Sequence, residues 1–291
     1  MNYDMPLFRP PSEADSLILQ VTLGCSHNRC KFCYMYRTKR FRIRRLEDIR
    51  ADIEEASEYA EYVEKVFLAD GDALVVKTET LLQILQLIRD TFPNLRRVSA
   101  YANPSNILRK SEEELRALAD AKLNLVYIGI ESGDDEILRL VDKGATSEEI
   151  KESIIKAKAC NMKTSTTVIL GLGGRERSRE HTMNTARLIN EAPPDYLSLL
   201  TLMLGPFEEE FRGEMGGKWT SLDPIETLVE IREIIKGIDR RGIIFRTNHA
   251  SNYLPLKGTI SEDKARLINI LNRAIEDPEN APLRSEYLRG L

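Results

Sequence analysis

Short apolar runs alternate along the chain with longer stretches in which apolar residues recur every three or four positions. Strand-like runs are Ser16–Thr22, Lys65–Ala69, Arg97–Ala102, Asn124–Ile130, Thr164–Leu170, Tyr196–Met203 and Ile243–Thr247. Amphipathic helical patterns fall between them, at Leu46–Tyr59, Thr78–Thr91, Glu112–Ala121, Ser147–Ala159, Arg179–Glu191 and Pro224–Arg241. Ser111 before Glu112–Glu114, and Ser147 before Glu148 and Glu149, suit the positive end of a helix. Strand, helix, strand at this spacing predicts a parallel sheet with right-handed crossovers. The expected fold is α/β: a full or partial, TIM-like (β/α) barrel of about six main parallel units with a C-terminal extension. An open doubly wound sheet is the alternative. No Pro/Gly/Ser linker divides the chain, so one domain is expected. It would consist of an arm at 1–15, a barrel core at 16–242, and a strand, polar loop and helix at 243–291 packed on that core. In either architecture the site belongs at the carboxyl ends of the strands.

Composition narrows the function classes. The 291 residues carry a net charge of −4, so no global field draws the chain to nucleic acid or an anionic membrane; nucleic acid is an unexpected partner without being excluded. A local basic stretch, RTKRFRIRRLEDIR from Arg37 to Arg50, reads as a solvated face or as a site for an anionic substrate, the former being preferred. No apolar run approaches the roughly 20 residues that span a bilayer. The first residues lack the basic start and apolar centre of a signal peptide. A cytoplasmic protein without a membrane partner is expected.

Three of the four cysteines fall within nine residues, directly after the first strand: Gly24-Cys25-Ser26-His27-Asn28-Arg29-Cys30-Lys31-Phe32-Cys33. A disulfide framework would spread and pair them; in a reducing compartment such a cluster reads as a metal or redox site. Three thiolates on one loop can hold an iron–sulfur cubane and leave one iron open, since full protein ligation takes four. Cys25, Cys30 and Cys33 are the expected ligands. Two other readings stay open: a zinc site completed by His27, and a thiol-redox pair at Cys30 and Cys33. Cys160, in the context Ala157-Lys158-Ala159-Cys160, reads as a packed helix cysteine.

With these residues the chain resembles the radical S-adenosylmethionine (radical SAM) superfamily, over most of its length. The usual spacing there is Cys-x3-Cys-x2-Cys; here the first gap is one residue longer. Phe32 before the last cysteine fits the family pattern, in which that side chain lies near the adenine. The second strand ends Ala69-Asp70-Gly71-Asp72, where the family carries a turn that binds the methionine ammonium. Oxygen-rich turns suit a cation with three donors, although an ordinary Asp-Gly turn would read the same.

Tyr101-Ala102-Asn103-Pro104, Gly129-Ile130-Glu131-Ser132 with Lys143, and Gly171-Leu172-Gly173-Gly174 resemble the branch of oxygen-independent coproporphyrinogen oxidase-like proteins and Fe-S oxidoreductases. The resemblance implies that Asn103, Glu131 and Lys143 contact the nucleoside or methionine part; Gly171 and the glycines after it either let the backbone approach the adenine closely or simply form a strand-end turn. The resemblance implies a [4Fe-4S] cluster and S-adenosyl-L-methionine as cofactors, and cleavage of the latter to a 5′-deoxyadenosyl radical that takes hydrogen from a substrate. It also implies an oxidoreductase-type activity on a small molecule and an external flavodoxin- or ferredoxin-like electron donor.

The remaining polar residues carry weaker signals. The glycines at 171, 173 and 174 come too late, and lack the spacing, for a dinucleotide fingerprint. His181 reads as a surface residue at a helix start. After the last strand, Thr247-Asn248-His249-Ala250-Ser251-Asn252-Tyr253 packs hydrogen-bonding side chains densely. It is either a structural network or a wall of the substrate cavity, with His249 and Tyr253 as candidate catalytic groups.

Overall fold

The computed structural model describes residues 3–290. Its strands are β1 (Leu17–Gln20), β2 (Thr22–Leu23), β3 (Arg42–Ile43), β4 (Lys65–Ala69), β5 (Arg97–Tyr101), β6 (Leu123–Glu131), β7 (Lys163–Leu170), β8 (Tyr196–Thr201), β9 (Ile244–Arg246) and β10 (Lys257–Thr259). Eight of them form a mostly parallel sheet in chain order, and β2 and β3 form a separate antiparallel pair. The α/β expectation holds: each of the seven predicted strands is present, within about two residues at its ends. β10, which pairs antiparallel with β9, was not foreseen, because three residues including a glycine show no alternation.

The chain packs as two compact units. The first comprises the chain up to Asn28 with Cys33–Ile128 and Glu152–Thr164; the second comprises Arg29–Phe32, Gly129–Lys151 and the chain from Ser165 onward. In the first, β1, β4 and β5 pair in parallel, with Phe67, Leu68 and Val98 excluded from solvent. Helix Thr78–Thr91 covers them through Leu81, Ile84, Leu85 and Ile88, a stripe at helical spacing that is wholly buried. Removing such a side chain from water contributes about 1.5–3 kcal/mol. Helix Glu112–Asp120 starts in a capping box, Ser111 and Glu114 each satisfying the other's backbone amide.

In the second unit β7, β8 and β9 run parallel. Helix Pro224–Gly237 buries Leu228, Ile231, Ile234 and Ile235 and opens with Pro224 behind an Asp223–Glu226 capping box. Helix Gly174–Glu191 begins five residues earlier than the sequence pattern implied, with an irregularity at Arg177. Among the described residues, no helix is long and apolar enough to cross a membrane.

Candidate functional site

The cysteine loop leaves β2 through Gly24, whose φ of +75° favours glycine. Cys25, Cys30 and Cys33 are each half-buried, as is Phe32. Asn28, also in the left-handed region at φ +42°, donates from its carboxamide to Tyr36 O at 3.1 Å and so draws the loop's exit back onto its start. Arg29–Phe32 belongs to the second unit, where Lys31 N donates to Val141 O at 2.9 Å.

The turn after β4 supplies two buried carboxylates with different employment. Asp70 accepts from Gly24 N at 3.0 Å, Lys39 Nζ at 2.9 Å and Gln20 Nε2 at 3.1 Å; it pins the entrance of the cysteine loop. Asp72 accepts from Ser26 Oγ at 2.5 Å, Asn106 Nδ2 at 2.5 Å, Asn103 Nδ2 at 2.9 Å and Asn103 N at 3.2 Å. Burial pushes the Asp72 carboxyl up, against the opposing effect of these donors. Three of these donors share Oδ2, and Asn103 N alone reaches Oδ1; the side chain ties the cysteine loop to the segment after β5. Between the two acids, Gly71 has no room for a side chain: a Cβ would stand 2.8 Å from Cys25 Cβ and 2.9 Å from the Tyr36 ring. Ala69 closes β4 with its carbonyl accepting from Val21 N at 2.6 Å. The Asn103 carboxamide also reaches Ser26 Oγ at 3.3 Å and lies 3.9 Å from Cys25 Sγ.

In the second unit, Glu131 ends β6 with φ +60°, a costly conformation for a residue with a Cβ and one that concentrates at functional sites. Its carboxylate accepts from Lys143 Nζ at 2.8 Å, both side chains being nearly buried. Gly129 lies beneath the pair, and a Cβ there would run into both.

Gly171 is gripped from two sides: its N–H donates to Glu230 Oε2 at 2.8 Å, and its carbonyl accepts from Trp219 Nε1 at 3.2 Å. His181, expected at the surface, is fully buried in mid-helix, its Nδ1 2.8 Å from Ser132 Oγ and its Nε2 4.0 Å from Glu230 Oε2. Burial pushes His181 down to about 4 and Glu230 up to about 7.

The 248–253 segment closes on itself. Asn252 is inaccessible to solvent; it donates to Leu199 O at 2.7 Å and Thr247 O at 3.0 Å and accepts from Thr201 Oγ1 at 2.9 Å. His249 Nδ1 lies 2.9 Å from Ser251 Oγ, and its imidazole is pushed down by burial and by Arg284. The Tyr253 hydroxyl accepts from Arg289 Nη1 at 2.5 Å, with the guanidinium 3.9 Å over its ring, and burial raises it to about 12. Asn248 is exposed.

A family model of the radical SAM superfamily matches residues 19–189, the span that holds the cysteine loop, Asp72, Asn103, Glu131 and Lys143. The chain belongs to the radical SAM superfamily. Enzymes of this superfamily use a [4Fe-4S] cluster and S-adenosylmethionine.

The chain is 32% identical over 74 residues to the probable threonylcarbamoyladenosine tRNA methylthiotransferase of Methanocaldococcus jannaschii, covering 25% of this chain and 17% of that protein. It is 23% identical over 172 residues to the heme chaperone HemW of Bacillus subtilis, covering 58% and 44%. In fold it is similar to coproporphyrinogen III oxidase (HemN) of Escherichia coli, a radical SAM enzyme, with a TM-score of 0.60, 18% identity, and coverage of 76% of this chain and 51% of that one. The chain spans less than half the length of the curated relatives it matches.

The residues of the loop fit a radical SAM cluster. Three half-buried thiols follow a pinned entrance, and the close approach of Gly71 to Cys25 leaves a cradle that any side chain would fill. Among the described residues, no three His, Cys, Asp or Glu side chains converge as ligands of a single ion; a cubane, whose thiolates each bind a different iron, does not need that convergence. Sequence reasoning passed over Ser26, Asn106 and Lys39, which hold the loop, and Glu230, which holds Gly171. The signal available for Asn106 was its place in the first turn of helix Pro104–Arg109, a helix too short to show periodicity.

Proposed function

We propose that this chain is a radical S-adenosylmethionine enzyme whose [4Fe-4S] cluster is held by Cys25, Cys30 and Cys33, in the branch of HemN-like and HemW-like proteins. The observation that carries this reading is the Asp72 clamp, which binds the cysteine loop to the strand-end segment bearing Asn103, within the span matched by the family. When bound, the cluster and S-adenosylmethionine supply one-electron cleavage of the sulfonium's carbon–sulfur bond, giving methionine and a carbon radical that takes a hydrogen atom from substrate.

The protein's part is placement and exclusion of water. Asp72 fixes the loop, while backbone oxygens of the Ala69–Asp72 turn and the Asn103 carboxamide offer polar contacts to the cofactor's methionine end. The Glu131–Lys143 pair presents acceptors to ribose hydroxyls and a cation to a carboxylate, with its own charges compensated in the free protein. Gly171, held by Glu230 and Trp219, offers backbone without a side chain. We assign an external flavodoxin- or ferredoxin-like donor, a small-molecule substrate, an oxidoreductase-type reaction and a cytoplasmic setting to the same reading. The three-part division at residues 15 and 242 belongs with it.

Incubation of the anaerobically reconstituted protein with S-adenosylmethionine and dithionite tests the proposal. Slow formation of 5′-deoxyadenosine without substrate is expected. A colourless protein that binds zinc and releases no 5′-deoxyadenosine would favour the zinc or thiol-redox alternative.

A further inference from the structure

Apart from Lys39, which holds Asp70, the basic segment singled out in the sequence has no part in the site as described, yet it is built against that site. Between Arg37 and Arg50 there are seven cationic side chains and two carboxylates, in a chain whose total charge is −4. Two of its cations turn inward. Lys39 is buried on Asp70, and Arg44 is tied to Asp52 at 2.5 Å and to Gln20 O at 2.9 Å. Arg40, Arg42, Arg45 and Arg50 point out and are exposed. Arg42 and Arg45 keep 69% and 77% of their side-chain surface, and Ile43 between them is also exposed. Asp4 stands 3.8 Å from Arg42 and Asp48 holds Arg45 in a surface fork at 2.8 and 3.0 Å, while Arg40 and Arg50 have no ion-pair partner among the described residues.

Three contacts place this ribbon beside the thiols. β3 pairs with β2, Arg42 opposite Leu23 and Ile43 opposite Thr22. A Cβ on Gly24, the residue before Cys25, would lie 3.4 Å from Lys39 Cβ and 3.5 Å from Phe41 Cα. Asn28 bonds the carbonyl of Tyr36. The outward arginines are therefore carried on backbone that touches the backbone leading into Cys25.

We propose that the Arg40–Arg45 ribbon is the docking surface for an acidic one-electron carrier protein that reduces the centre held by the cysteine loop. The inference rests on the radical SAM reading of the site. The step is simple in balance: the carrier gives up one electron and is oxidised by one, and the [4Fe-4S] centre is reduced by one, with no bond made or broken. Electron transfer fades steeply with distance, so the carrier must touch surface next to the thiols. Such a ribbon collects a negatively charged partner by steering, which raises the association rate and makes it depend on salt. The cations sit on and beside a strand only two residues long and are followed by the acidic helix Leu46–Ala56, which contains Glu47, Asp48, Asp52, Glu54 and Glu55. That small bounded patch fits a compact protein contact better than a polyanion's extended backbone.

Stopped-flow reduction of the reconstituted protein by reduced flavodoxin, the probe carrier, tests this. Arg40→Glu, Arg42→Glu and Arg45→Glu combined should slow reduction at least tenfold and abolish its salt dependence. Reduction by dithionite, iron content and melting temperature should stay as in wild type. A second measurement needs no variant: raising salt should slow flavodoxin reduction of the wild type several-fold. The proposal is overturned if flavodoxin reduction ignores both charge and salt, if dithionite reduction slows equally, or if the reversals instead strip bound tRNA while flavodoxin kinetics hold. Absence of any dithionite-bleachable absorbance would overturn the cluster reading and this docking together.

Discussion

Two polar clusters at strand ends look alike in sequence and differ in what they hold. After β4, Asp72 gathers donors from Ser26, Asn103 and Asn106, residues that lie 31 to 46 positions away in the chain, and one of them is on the cysteine loop. After β9, Asn252 spends its carboxamide on Leu199 O, Thr247 O and Thr201 Oγ1, so its bonds only knit β8 to the segment after β9. Polar density at a strand end thus does not mark a site; the destination of the hydrogen bonds does. The bonds of Asn252 are those of a structural residue, and the proposed centre stays at the cysteine loop.

The largest effect is expected where the comparison is broken at its source. Replacing Cys25, Cys30 or Cys33 with Ala should abolish bound iron, measured after anaerobic reconstitution, whereas Cys160→Ala should keep it, since that thiol is buried in another part of the fold. Retention of full iron content by any of the three variants would break the assignment.

Next comes a paired test. Asp72→Ala should lower cluster retention and weaken S-adenosylmethionine binding by roughly ten- to a hundredfold, the worth of one or more charge-assisted bonds. Asn252→Ala should leave cofactor affinity unchanged and cost about 1–3 kcal/mol of stability, because Thr201 and two carbonyls lose a buried partner. Titration calorimetry and thermal melts read the two halves; equal loss of affinity in both variants would erase the distinction.

A smaller effect depends on pH and sharpens the picture of the Gly171 support. Glu230, raised to about 7 by burial, holds its proton in the folded state where the unfolded chain has released it. Its contribution is therefore fully present below its unfolded pKa and is lost as pH rises to about 7. His181, lowered to about 4 by burial, stays neutral where the unfolded chain is protonated, so its contribution is gained as pH rises from about 4 to its unfolded value. The two slopes oppose, each at most one proton, or about 1.4 kcal/mol per pH unit. Glu230→Gln should unmask a stability that climbs from pH 4 to 6.5, and His181→Gln one that falls from about pH 4.5 to 7. Denaturant midpoints with the same slope in both variants would contradict the assignment.

The smallest effect is expected of Tyr253→Phe, which removes one hydrogen bond from Arg289 while keeping the stacked guanidinium. A loss of about 0.5–1.5 kcal/mol with unchanged 5′-deoxyadenosine formation is predicted.

Much of the fold could be read from hydrophobic patterning, and the reasons for the misses are physical. β4 and helix Thr78–Thr91 lie where the apolar pattern puts them, because the strand is a continuous run buried on both faces and the helix buries one clean stripe. Helices Pro104–Arg109, Asp135–Leu140 and Glu208–Glu214 are too short for a 3.6-residue period to show. His181 was misplaced because the buried stripe of its helix includes Thr182 and Thr185 beside Ala186 and Ile189, so hydropathy disguised the inner face. At the proposed site, residue type and strand-end position point to the cysteines and to the Asp70–Asp72 turn, whose two carboxylates are buried. The use of Asp72 was not legible, because its Asn106 and Ser26 partners are fixed by tertiary packing that no spacing rule encodes.

The central claim is that three cysteines hold a cluster with one iron open to S-adenosylmethionine. Electron paramagnetic resonance of the dithionite-reduced protein, recorded with and without S-adenosylmethionine, tests it most directly. The account predicts a [4Fe-4S]+ signal that changes shape when the cofactor is added, and no such signal in Cys25→Ala. A signal indifferent to S-adenosylmethionine, or tightly bound zinc in place of iron, would contradict it.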